Sequence, residues 1–166
     1  MLEDQVNLNN YANRVIVAGS RSYTNYDQFT VVLDEYVRNE LRGTTCFISG
    51  DAVRGADAMV IAWCEKRRKP CVRVPAKWNE IGIRAGFYRN REMAEMATHL
   101  VVFYDGKSSG SRNMIWEGKR NKLELKVFLF DPEQQPDEHG QSHKKHLHRP
   151  RRFTGFSFRD FDLDQP

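Results

Sequence analysis

Five short apolar runs, each bounded by turn-forming residues, constrain this chain more than any other feature: Val15-Ile16-Val17-Ala18, Cys46-Phe47-Ile48-Ser49, Cys71-Val72-Arg73-Val74, Leu100-Val101-Val102-Phe103 and Val127-Phe128-Leu129-Phe130. Each has the length of a buried strand. Between them apolar residues fall at helical spacing: Phe29, Val32, Leu33, Tyr36 and Val37; Ala58, Ile61, Ala62 and Cys64; Met93, Met96 and Ala97; Met114 and Ile115, followed by Lys119. Strand and helix therefore alternate. Neighbouring parallel strands need a crossover, usually helical, so the alternation predicts an α/β fold with a parallel sheet of about five strands and helices on both faces. A chain of 166 residues, 40% hydrophobic and 29% charged, has room for one such domain and a tail.

In sheets of this kind ligands gather outside the carboxyl ends of the strands. Four segments stand there: Gly19 to Thr24, Gly50 to Asp57, Pro75 to Arg91 and Tyr104 to Asn113. The first carries Gly19, Ser20 and Arg21, a glycine that lets backbone approach a ligand, then a hydroxyl and a guanidinium for phosphate or carboxylate. The second carries Gly50, Asp51, Arg54 and Gly55 before a helix whose free N–H groups favour anions. Asp57 suits that helix's first turn as a complement to the dipole, or contacts the ligand directly. The third offers Trp78 and Phe87 as stacking rings, or as caps on a core edge, and Arg89, Asn90 and Arg91 as polar contacts, or as an ion-pair network between subunits. The fourth packs Asp105, Gly106, Lys107, Ser108, Ser109, Gly110, Ser111 and Arg112 before a helix, a density suited to a phosphate cradle. Neither GxxxxGK[ST] nor GxGxxG occurs, which argues against P-loop ATPase and dinucleotide-fingerprint chemistry.

Beyond Phe130 the character changes. Residues 131–152 are polar, His-containing and basic and read as a linker; residues 153–166 carry Phe153, Phe156, Phe158 and Phe161 among acidic residues and read as a segment that docks on the domain or on a neighbouring subunit. The basic stretch from His143 to Arg152 is of a kind that binds phosphate backbones, but acidic residues around it favour a solvated charge run. His139, His143, His146 and His148 fit no structural zinc spacing, and Cys46, Cys64 and Cys71 stand singly, so neither a metal nor a disulfide framework is expected. No run approaches the roughly 18 apolar residues of a membrane span. The first residues, MLEDQVNLNN, are polar and acidic where a signal peptide is basic and then apolar, so a cytoplasmic protein without a membrane partner is expected. The formal charge of +4 leaves phosphate-bearing small molecules and nucleic acid both open.

Taken in order, Val17-Ala18-Gly19-Ser20-Arg21, Ile48-Ser49-Gly50 with Arg54-Gly55-Ala56-Asp57, Pro75-Ala76-Lys77-Trp78-Asn79, Gly86 with Arg89-Asn90-Arg91-Glu92-Met93, and Asp105 to Ile115 resemble the YspA-like group of the SLOG superfamily. The resemblance covers about residues 14–130. It implies a Rossmann-like domain that binds a nucleotide or an ADP-ribose or NAD-derived compound through these loops, with Gly110-Ser111 in the place of the family's glycine-threonine phosphate turn. The superfamily also contains LOG-type phosphoribohydrolases, DprA proteins that load DNA, and sensors in antiphage signalling. Arg91 resembles the LOG arginine, whereas the position of the LOG glutamate holds Met114, which neither accepts a proton nor stabilises a cation. Glu92, Asp105 and Glu117 are the substitutes if the protein is an enzyme. Binding without turnover, as a sensor or a sequestering protein with no cofactor, is therefore the preferred expectation. Glycosidic hydrolysis comes second and DprA-like nucleic-acid binding third. The resemblance also implies a homo-oligomer.

Overall fold

Strand β1, Asn13–Gly19, is buried over almost its whole length because it has a neighbour on each side and helices above and below. It pairs in parallel with β2, Thr45–Ser49, through Val15 opposite Phe47, and with β4, His99–Tyr104, through Val17 opposite Val101. Outside these lie β3, Cys71–Arg73, beside β2, and β5, Glu124–Leu129, beside β4, giving the all-parallel order β3-β2-β1-β4-β5. This computed structural model describes residues 6–136.

The two-residue period of the strands sorts their side chains into two cores. Val15, Val17, Phe47, Val101 and Phe103 face helices α1, Tyr26–Glu40, and α2, Ala56–Arg67. Ile16, Ala18, Ile48, Leu100, Val102 and Tyr104 face α4, Ala85–Met96, and α5, Ser109–Arg120. Helix α1 begins where the Asn25 side chain accepts from Gln28 N–H at 3.0 Å, and its buried stripe is Phe29, Val32, Leu33 and Tyr36. It is tied to α2 by Asp34, which receives Arg67 through both carboxylate oxygens and Trp63 Nε1 at 3.0 Å. The expected fold class is thus found: an α/β domain with a five-stranded parallel sheet and helices on both faces.

The segment from Pro75 to Arg91, expected as a loop, instead contains a one-turn helix α3, Trp78–Ile81, and the first half of α4. Its apolar residues Ile81, Ile83, Phe87 and Tyr88 are exposed, so they carry no core periodicity for a reader of the sequence to find. Residues 131–136 stay on the domain: Asp131 caps a turn over Pro132–Gln134, and Gln135 Oε1 accepts from the N–H groups of Thr24 and Asn25 at 3.1 Å each. The basic stretch, the histidine group and the Phe-rich segment lie outside the described residues. Cys46 and Cys64 are buried, Cys71 is half-buried, and all three are free thiols. Among the described residues no helix is long and apolar enough to cross a membrane.

Candidate ligand-binding site

The sheet order reverses at β1. The chain runs outward through β2 and β3, then returns to place β4 on the other side, so the loops after β1 and β4 diverge and leave a crevice at the carboxyl edge. A cavity of about 490 Å³ lies there, within the range of small-molecule sites. It is lined from Ala18 to Ser22, by Ala52 and Asp57, by Trp78 and six residues between Ile83 and Met93, and by Asp105, Ser108 to Ser111 and Met114.

The β1 end of the cavity is fixed by close packing. A Cβ on Gly19 would stand 2.5 Å from the Phe103 carbonyl oxygen, so only glycine lets β1, β4 and α2 meet at this height. Ser20 N–H then donates to that same carbonyl at 2.9 Å, and Tyr23, fully buried, stacks on Phe103 at 4.8 Å between centroids. The loop is therefore anchored at both ends. Between the anchors Ser20 Oγ lies 3.2 Å from Ser111 Oγ, which joins the two lips of the crevice.

On the β4 side Asp105 shapes the loop before α5. Its Oδ1 accepts from the N–H groups of Lys107 and Ser108 at 2.9 and 2.8 Å, and its Oδ2 from Ser22 Oγ at 3.3 Å. Burial pushes this carboxyl upward, but those hydrogen bonds outweigh it and hold it below the usual carboxylate range. Ser108 caps α5 by accepting from Ser111 N–H at 3.4 Å. The N–H groups of Ser109 and Gly110 have no hydrogen-bond partner among the described residues, and a Cβ on Gly110 would have nothing within 4 Å. Two free donors at the positive end of a 12-residue helix thus face open space in the cavity wall.

On the β2 side the cavity is bounded by Asp57, 6% exposed in the first turn of α2. Burial pushes its carboxyl up to about 6, although Arg89 and the Ala52 N–H pull the other way. Arg89 Nη1 stands 3.9 Å from Asp57 Oδ2 and donates to the Gly50 carbonyl. Gly50 is what leaves room for this pair, since a Cβ there would lie 2.4 Å from Arg89 Nη1 and 2.6 Å from Asp57 Oδ2. Gly55, at φ 74°, caps α2 without a side chain and sits under the Ser20 carbonyl, where a Cβ would approach to 2.6 Å.

Helices α3 and α4 roof the cavity. Trp78 packs its ring edge over Gly86, and Trp78, Ile83 and Phe87 present partly or largely exposed apolar surface to the cavity. Asn90, buried, fastens the roof to α5: its Nδ2 donates to the Gly110 carbonyl at 3.2 Å and to Asn113 Oδ1 at 2.9 Å, while its Oδ1 accepts from Arg89 Nε at 3.1 Å. Met93 and Met114 supply apolar wall.

Of the residues singled out in the sequence, Gly19, Ser20, Arg21, Trp78, Arg89, Asn90, Asp105, Ser108, Ser109, Gly110 and Ser111 line this cavity. Gly50 and Gly55 stand behind it as steric requirements. Asp51, at φ 58°, pairs with Arg73 at 2.6 Å, Arg91 pairs with Glu95 at 3.2 Å, and Arg112 Nε reaches Tyr104 Oη at 3.5 Å; none of the three is in the lining. Arg54, Gly106 and Glu92 are exposed and also outside it. Glu117 is buried on α5, 3.9 Å from Arg120, and likewise outside the lining. The lining carboxylate that sequence reasoning left between two roles is Asp57, because a first-turn acidic residue is explained by the helix dipole as readily as by a ligand.

Comparison with known proteins agrees with this architecture. Residues 13–80 match the family described as YspA, cpYpsA-related SLOG. DNA processing protein A from Helicobacter pylori, a protein with a single-stranded DNA binding mode, is similar in structure with a TM-score of 0.54 at 18% identity, over 72% of this chain and 66% of that one. DNA processing protein A from Streptococcus pneumoniae is similar with a TM-score of 0.57 at 18% identity, over 72% of this chain and 51% of that one. This chain thus corresponds to about two thirds of one DprA chain and half of the other, and the likeness is one of fold. No curated protein matches the sequence.

Proposed function

We propose, from the SLOG pattern over residues 13–80 and the cavity at the reversal of the sheet, that this chain binds a phosphate-bearing nucleotide-like small molecule, of which ADP-ribose and NAD-derived compounds are members. The observation that carries the reading is the amino end of α5, where the Ser109 and Gly110 N–H groups, unpartnered among the described residues, open into the cavity. A phosphate placed there gains the helix dipole and two backbone donors, with Arg21 across the crevice as a counter-charge. Trp78 and Phe87 at the rim offer faces for a base. Met114 lines the wall where the LOG resemblance puts a carboxylate, which favours binding without turnover, in a sensing or sequestering role. The exposed Ile81, Ile83, Phe87 and Tyr88 offer apolar surface for a second copy, in line with the homo-oligomer that the resemblance implies.

The test is calorimetric titration of AMP, ADP-ribose, NAD and a single-stranded oligonucleotide into wild type and Gly110→Glu, with chromatography of the recovered ligand. Glutamate at Gly110 puts a negative charge on the anion position without a steric clash, so nucleotide affinity falls about tenfold or more while melting temperature holds. Released base or ribose phosphate overturns the non-catalytic reading. Tight binding of the oligonucleotide alone moves the protein toward a single-stranded DNA role like that of the Helicobacter pylori DNA processing protein A.

A further inference from the structure

The acidic residues near the cavity separate once their oxygens are accounted for. Glu92 and Glu117 lie outside the lining, and both oxygens of Asp105 already accept hydrogen bonds from its own loop and from Ser22. Asp57 differs. Its Oδ2 is engaged, by Ala52 N–H at 3.4 Å and Arg89 at 3.9 Å, while its Oδ1 has no hydrogen-bond partner among the described residues. The residue is only 6% exposed and lines the cavity, so what surface it retains is turned toward the cavity's contents.

An ionised carboxylate accepts hydrogen bonds and donates none, and it repels phosphate. Its partner in the cavity therefore carries donors and sits away from the anion position. The amino ends of α2 and α5 bound the cavity on its β2 and β4 sides, with the Gly19 to Ser22 loop between them. A molecule with an anionic group at one end and neighbouring hydroxyls further along matches this division.

We propose that Asp57, held by Arg89, reads the sugar of a ribonucleotide, its Oδ1 accepting hydrogen bonds from the ribose hydroxyls while the phosphate lies on the amino end of α5. This rests on the nucleotide reading of the same cavity. Gly50 is part of the device, because its missing Cβ is the space in which the carboxylate and guanidinium meet. The charged groups facing Asp57 are Arg89 from α4, Arg21 from the β1 loop and Asp51 from the β2 loop. Protonation of the carboxyl, held up to about 6 by burial, weakens its acceptor strength, so discrimination for ribose falls as pH drops through that value.

The experiment compares AMP, 2′-deoxy-AMP and orthophosphate by calorimetry on the full chain, as wild type and Asp57→Asn. Wild type at pH 7.5 prefers AMP over its deoxy analogue by about tenfold or more. In Asp57→Asn the preference collapses toward unity while orthophosphate affinity is kept. A wild-type ratio near unity, or a ratio retained in the variant, overturns the assignment but leaves the nucleotide site standing. Equal losses for both nucleotides reduce Asp57 to a structural partner of Arg89 and overturn it as well. If wild type binds neither nucleotide, the reading of the cavity fails and this inference fails with it. Should Asp57→Asn not fold, the wild-type ratio measured from pH 8 to pH 5 decides: a decline supports the assignment and a constant ratio overturns it.

Discussion

At the scale of single residues, the site is built on groups that the fold holds at a cost. The Asp57 carboxyl is pushed up to about 6 from an ordinary 3.8 because burial outweighs the pull of Arg89 and of the Ala52 N–H. The folded chain then binds this proton more tightly than the unfolded one between pH 4 and 6, so protonation in that window favours the fold and rising pH works against it. Wild type accordingly gains stability relative to Asp57→Asn as pH falls from 7 to 4, by an amount on the order of 1–3 kcal/mol. Urea unfolding of both proteins at the two pH values measures the gain, and a pH-independent difference between them contradicts it. Glycines divide along the same line between structure and site: Gly19 and Gly55 leave no room for a Cβ, whereas Gly110 has open space and answers to what enters the cavity.

At the scale of elements, α4 decides what the cavity contains. Its residues Arg89 and Arg91 are two apart, about 200° around a helix, so one faces the cavity and the other faces solvent. Arg89 meets Asp57 and Gly50, and Arg91 meets Glu95. Sequence alone does not make that choice while the segment is taken as a loop. Asn90 locks the helix to the amino end of α5, and Asn90→Ala leaves the Gly110 carbonyl, Asn113 Oδ1 and Arg89 Nε each short of a partner. The expected cost is about 1–3 kcal/mol, with nucleotide affinity lowered as well, read by thermal denaturation and by titration of the folded variant. Unchanged stability and affinity contradict the role given to Asn90. The strands were legible because continuous apolar runs report burial on both faces, and the loops after them because ligand sites collect at strand carboxyl ends. Helix α3 and the start of α4 were not, since hydrophobic periodicity reports which face is buried and Ile81, Ile83, Phe87 and Tyr88 are exposed. Asp57 was visible as a residue with two roles open to it, ligand contact or dipole complement, but its pairing with Arg89 was not, because Arg89 lies 32 positions away and reaches it only through the packing of α4 on the sheet.

At the scale of the whole molecule, the order β3-β2-β1-β4-β5 gathers a site from segments spread over most of the described chain. Residues 19–22 come from the end of β1, Ala52 and Asp57 from beyond β2, Trp78 to Met93 from the roof, and Asp105 to Met114 from beyond β4. No two of these segments are joined by secondary structure that skips the sheet, so each reaches the cavity by way of its own strand or helix packed on β1 or β4. A ligand that bridges the α5 end and Asp57 must therefore restrain all four together, because it gains contacts that exist only when they are assembled. Amide hydrogen exchange tests this directly. On adding the nucleotide that binds best, amides in residues 19–22, 50–57, 78–90 and 105–111 slow together, while those at the amino edge of the sheet, at Asn13, Thr45 and Glu124, keep their rates. Slowing confined to 105–111 indicates an anion held by the α5 end alone. Slowing spread evenly over the sheet indicates general stabilisation of the domain, and either pattern removes the bridging geometry.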